Sequence, residues 1–224
     1  MAIAHVKDAT AAAYGPSTTQ TISLNSVGSG NCLVCCVAGY YHEVTSIKDA
    51  ALNAFTQGVR ASSSGGWVEI WYLLNAAGGN MDITVTTPSG TYQTLFLAEF
   101  SGVDTAGQPR TTGTGTLGST AASTLSTGSL TTTSGDLIVT ALSLTASGGT
   151  LTWNSGETTA GNQMNAGGNE SGAMGWILSS GGSAARQASW TSASSFAALA
   201  AVALKPAAVS ASTAHNLLLL GCGT

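Results

Sequence analysis

Gly30-Asn31-Cys32-Leu33-Val34-Cys35-Cys36-Val37-Ala38-Gly39-Tyr40 opens on turn residues and then runs almost without a polar side chain. A short apolar run bounded by turn residues is the pattern of a strand buried on both faces. The same opening returns as Gly135-Asp136-Leu137-Ile138-Val139. Working outward, more of the chain echoes itself. Trp71-Tyr72-Leu73-Leu74 precedes Gly78-Gly79, and Trp176-Ile177-Leu178 precedes Gly181-Gly182. Ile83-Thr84-Val85-Thr86 answers to Gln187-Ala188-Ser189-Trp190, and Leu95-Phe96-Leu97-Ala98 to Ala200-Ala201-Val202-Ala203. The shared order of turn, buried strand, aromatic strand, double glycine, alternating strand and apolar strand reads as a duplicated β unit. It assigns the Ala-rich stretch Ala197 to Leu204 to a strand, opposite Tyr92 to Phe100.

Further strands are expected at Thr19 to Leu24, Val44 to Lys48, Phe55 to Arg60, Trp67 to Asn75 and Met81 to Thr87, with Gly, Ser, Asn or Pro between them. Short strands at this spacing indicate an all-β, antiparallel β-sandwich, jelly-roll-like, built from two duplicated β units. The expected layout is an N-terminal arm at 1–17, the sandwich at 18–207 with halves at about 18–104 and 125–207, and a C-terminal tail at 208–224. Asp104 to Thr124, rich in Gly, Thr and Ser, joins the halves. Either they stand as two small sandwiches or they merge into one; such small halves are marginal alone, which favours merging or tight packing. Leu33, Val37, Trp71, Leu73, Val85, Leu95, Leu97, Val139, Trp176 and Val202 are the expected core.

Only 7% of the 224 residues are charged, against about 25% in a typical soluble domain. Ser, Thr, Gly, Ala and Asn must therefore cover the surface. Runs such as Ile70 to Leu74 are too apolar to stay solvated, which excludes disorder for most of the chain. Six scattered Lys and Arg make no basic patch, so no nucleic-acid partner is expected. No apolar stretch reaches the roughly 18 residues of a membrane span. Met1 to Tyr14 lacks a basic region followed by an apolar one, so no signal peptide is expected. Synthesis in a bacterial host cytoplasm and a surface of extracellular character are reconciled by a virion component released on lysis.

Few residue sets suggest chemistry. His5, His42 and His215 lie in no motif, and no Gly-x-Ser-x-Gly elbow precedes a helix. Glu99, within an apolar strand, is the most conspicuous acid; a strand-end position reaching water or a turn is the simpler reading than a catalytic acid. Asp49, Asp82, Asp104 and Asn75 are weak calcium candidates, best at Ser101-Gly102-Val103-Asp104, where an Asx turn is the simpler reading. Cys32, Cys35 and Cys36 alternate in facing along one strand and read as small buried hydrophobes rather than zinc ligands. No catalytic residue, metal or cofactor is expected. Trp67, Glu69 and Trp71 share one strand face, open to two readings: core packing, or a platform for a glycan. In the tail, Leu217, Leu218, Leu219 and Leu220, with Cys222 just beyond, are candidates for an inter-subunit contact.

The series Gly30-Asn31-x-Leu33-Val34, Trp71 to Gly79, Ile83 to Thr86 and Leu97-Ala98-Glu99-Phe100-Ser101-Gly102-Val103-Asp104 resembles a jelly-roll-type β-sandwich module of bacterial surface proteins and tailed-phage virion accessory proteins. The resemblance covers about residues 18 to 207. The Cys-rich strand and the Leu-rich tail depart from the usual pattern. What it implies is structural turns and strands, with no catalytic residues to carry over. Two functions are left open. One is a non-enzymatic virion protein of a tailed bacteriophage (capsid decoration, fibre or tail-associated subunit), a homo-oligomer bound to the major capsid or tail protein. The other is a stand-alone carbohydrate-binding or adhesion module that meets a host surface glycan.

Overall fold

The computed structural model describes residues 1–117, 122–145, 149–164, 170–194 and 196–208, and every named element among them is a β-strand. In the first half these are β1 (Ala4–Val27), β2 (Cys32–Tyr40), β3 (Ser46–Asp49), β4 (Thr56–Ser62), β5 (Gly66–Leu73) and β6 (Gly79–Ser101). They follow the order β1-β6-β2-β5-β4, with β3 also paired to β6, and all pairs are antiparallel. β1 and β6 serve two layers. Ala4 to Ala13 pair with Gln93 to Ser101 beside β2, whereas Ser17 to Val27 pair with Gly79 to Thr91 beside β3. The register shifts between Ala13 and Ser17 and again between Ser17 and Thr19, the second shift opposite Pro88. Ile22, Ile83 and Val85 from one layer meet Leu33, Cys35, Leu95 and Leu97 from the other in a single cluster, so the long hairpin folds over onto itself.

The second half repeats the plan with β7 (Thr111–Leu117), β8 (Ala122–Thr132), β9 (Leu137–Leu144), β10 (Leu151–Trp153), β11 (Thr158–Gln163), β12 (Ser171–Leu178), β13 (Gly182–Ser194) and β14 (Ala197–Leu204). Its larger sheet runs β7-β14-β9-β12-β11, the order of β1-β6-β2-β5-β4, and its smaller sheet β8-β13-β10 matches β1-β6-β3. The expected duplication is thus a topological one. The double glycines recur in the same conformation, with φ of 89° and 86° at Gly78 and Gly79 and of 92° and 102° at Gly181 and Gly182. Side chains other than glycine rarely adopt that region.

Among the described residues no strand of one half is paired with a named strand of the other. Instead the two larger sheets lie face to face and share a core. Val34, Cys36, Ile70, Phe96 and Phe100 meet Val139, Met174, Ala200, Val202 and Leu204 there. Alanines keep the second sheet thin, and a Cβ on Gly161 would lie 2.3 Å from the Phe96 ring, so the sheets approach closely only with glycine at that position. The molecule therefore has four β layers, with the two larger sheets inside. Each half gains the apolar burial that its own small core lacks. At the seam His5 stacks on Trp176 with centroids 5.0 Å apart, and Phe100 meets the same indole edge-on.

Several expectations change. Residues 1–17 are no arm, because most of them form the first part of β1. The joining segment holds β7, which completes the second larger sheet. The halves do not interleave strands. Seven of the ten expected core positions are buried, but Trp71, Leu73 and Trp176 are only half-buried, because they sit toward the strand ends nearer the rim. The deeply buried indole is Trp67, 2% exposed. The tail from 209 onward, including Leu217 to Leu220 and Cys222, lies outside the described residues.

Candidate functional site

One end of the first sandwich carries a cleft of about 430 Å³. Three chain segments build it: the end of β2 with the turn that follows, Tyr40 to Val44; the β4–β5 hairpin around Ser62 to Gly65; and Pro88 at the fold in β6. Its back is set by glycines. A Cβ on Gly39 would lie 2.1 Å from the Trp67 ring and one on Gly65 2.8 Å from Tyr40, so Trp67 lies flat over the end of β2 and Tyr40 over the hairpin. Thr91 Oγ1 donates to the Tyr40 carbonyl. Tyr41 then turns outward. It is 65% exposed, the only exposed aromatic among the described side chains, and its φ is +77°. That region costs a residue with a Cβ roughly 1–3 kcal/mol. Its ring lies 3.8 Å from that of Tyr40 between centroids. A hydrogen bond that the Tyr41 hydroxyl donates to Tyr40 is the main reason it is held above its ordinary pKa.

Beneath the cleft a buried carboxylate ties these loops together. Glu69, fully buried, accepts from Val44 N at 3.1 Å and Arg60 Nε at 3.0 Å on one oxygen, and from Gln57 Nε2 at 2.8 Å and Trp71 Nε1 at 2.6 Å on the other. Arg60 reaches on to Glu43 at the rim, 2.6 Å away. A buried carboxylate is tolerated when its lone pairs are filled by charged and polar donors. This carboxylate fixes the turn, the hairpin and an arginine in one arrangement.

The other buried acids are likewise engaged in holding strands and turns. Glu99 accepts from Gly28 N at 2.7 Å and Asn31 Nδ2 at 2.6 Å, and pairs with Lys7 at 3.4 Å. It reaches a turn, as expected, but not water, being fully buried. Asp136, at the place of Asn31 in the second half, pairs with Arg110 at 2.5 Å and caps Thr133 N at 2.7 Å. Glu157 takes Arg186 at 2.8 Å and the Thr140 hydroxyl at 3.1 Å. Among the described residues Glu170 has only the Ser143 hydroxyl, at 2.5 Å, and burial pushes its carboxyl well above the usual range.

Of the two readings of Trp67, Glu69 and Trp71, the structure bears out core packing, and the glycan platform is not a surface. All three face the core of the first sandwich, and the opposite face of β5 (Val68, Ile70, Tyr72) packs in the shared layer. Both faces of the strand are covered, because a second sandwich sits on the one that a lone module would expose. The calcium candidates are not brought together. Asp49 binds Asn53 at 2.8 Å, Asp82 takes the Ser23 hydroxyl at 2.5 Å, and Asp104 receives Ala106 N at 3.1 Å in an Asx turn. Among the described residues no three of His, Cys, Asp and Glu gather as metal ligands. Cys32 and Cys36 face the shared layer and Cys35 the first core; burial raises the thiols of Cys32 and Cys35 to about 12.

No protein-family model matches the chain, and neither a curated protein nor a solved structure is significantly similar to it. The cleft was missed in the sequence because its residues come from separate turns. Only Tyr40-Tyr41-His42 at the end of an apolar strand signalled that aromatic rings lay beside a loop.

Proposed function

We propose that this chain is a non-enzymatic structural subunit of a tailed-bacteriophage virion, used as a capsid decoration, fibre or tail-associated protein. The observation that carries the reading is the shared layer: two jelly-roll-like units packed sheet against sheet through an apolar, small-residue core. Jelly rolls recur in viral capsid proteins and lectins. Fold alone does not assign function, so the side chains matter too. Glu69, Glu99, Asp136 and Glu157 spend their oxygens on strands, turns and arginines, the use a durable building block makes of carboxylates. The weakly charged surface suits flat contacts with copies of itself and with a major capsid or tail protein, and the Leu-rich tail supplies apolar area for one such contact.

The test is negative-stain microscopy of particles from a lysate of the host strain, labelled with an antibody to this chain. Label at a regular position on the particles is the expected result. Antibody that stains free protein in the lysate but no particle contradicts the assignment.

A further inference from the structure

We propose that the cleft around Tyr41 binds a neutral oligosaccharide of gluco-configured pyranose rings. The inference is independent of the virion assignment and rests on the geometry of the sandwich end. Its volume, about 430 Å³, falls in the range of about 300–1,000 Å³ usual for small-ligand sites. An aromatic ring with one end apolar and a hydroxyl at the other suits a partly wet contact. A gluco-configured pyranose offers that ring a flat face of axial C–H bonds and an edge of equatorial hydroxyls.

The polar groups fit the edge. The side chains of His42, Ser62 and Ser64 line the cleft, and none of the three has a hydrogen-bond partner among the described residues. The Glu43–Arg60 pair, both side chains partly exposed, sets acceptors beside donors, the arrangement that adjacent hydroxyls match. Charge argues for a neutral ligand. Arg60 is already met by Glu43 and by Glu69, so no free cation is left there to favour an anion. The backbone supports the same assignment. Tyr41 holds a conformation disfavoured for its side chain in order to stand in water, and strain of that kind concentrates at binding sites.

The experiment is saturation-transfer NMR on the full chain with maltohexaose, cellohexaose and chitohexaose, followed by titration of whichever binds. At least one is expected to receive saturation. Tyr41→Gly decides whether the ring serves the ligand or the fold. Glycine relieves the positive φ, so this variant is expected to melt no lower than the parent yet to bind at least tenfold more weakly. Tyr41→Phe should keep most of the affinity, and Leu52→Ala, exposed elsewhere, all of it. Transfer to none of the three sugars overturns the proposal. So does a Tyr41→Gly protein that binds as the parent does. Loss of sugar binding leaves particle incorporation unchanged, so the outcome is separate from that of the virion assignment.

Discussion

Replacing Glu69 by glutamine changes one atom at the point where the first sandwich ties its loops together. The carboxylate receives four donors, two on each oxygen, at 2.6 to 3.1 Å. An amide keeps one acceptor oxygen and turns an NH2 toward the other two donors, which then have nowhere to go. A hydrogen bond to a charged group contributes roughly 1.5–3 kcal/mol, and breaking one side of a buried pair costs roughly 3–5 kcal/mol. Two lost bonds give a similar figure. Arg60 is 32% exposed and keeps Glu43, so solvent and the second carboxylate soften the loss. The expected destabilisation is therefore about 3 kcal/mol. Urea unfolding followed by tryptophan fluorescence measures it, with Glu43→Gln as the comparison at the rim, expected to cost under about 1 kcal/mol. A Glu69→Gln loss below about 1 kcal/mol, or one equal to that of Glu43→Gln, refutes the view that this carboxylate organises the sandwich end.

Trp67→Ala should cost roughly 3–5 kcal/mol, and Trp176→Ala clearly less, since only the first is fully buried; denaturant midpoints in the reverse order would contradict the packing described. Cys32, Cys35 and Cys36 should resist iodoacetamide at pH 8 in the native protein and react on unfolding, because a thiol at about 12 holds about one thiolate in 10,000 at that pH; mass spectrometry of labelled peptides reads this directly. Glu170 binds its proton more tightly folded than unfolded, so its contribution is complete below the ordinary carboxylate pKa of 4.5 and declines as pH rises toward the folded value. Denaturant midpoints of Glu170→Gln between pH 4 and 8 should lack that part of the decline. Deleting Ala211 to Thr224 should lower the solution mass measured by light scattering at low concentration; an unchanged oligomer would remove the Leu-rich tail from the assembly.

Much of the fold was legible because burial on both faces leaves a simple mark. Cys32–Tyr40 and Ala197–Leu204 have the expected bounds, the second only because the repeat overrode its helix-like alanine content. The double glycines marked equivalent turns because each needs a positive φ. The folded-over hairpin was less visible. Pro88 separates Met81–Thr87 from Tyr92–Phe100 in sequence, yet the pairing to β1 continues on both sides of it, and periodicity says nothing about which layer each part joins. The Trp67, Glu69 and Trp71 face was correctly grouped, but alternation alone does not say that it turns into the first half's own core while the opposite face meets a sheet from the other half of the chain. The cleft depended likewise on Gly39 and Gly65, whose missing side chains seat Trp67 and Tyr40, a contact that no single-strand pattern carries.

The central claim is that this chain is built into a virion, and quantitative peptide mass spectrometry of density-purified particles tests it most directly. The account predicts peptides of this chain in the particle band, at many copies in fixed proportion to the major capsid or tail protein. Peptides that stay in the soluble fraction and are absent from intact particles would contradict it.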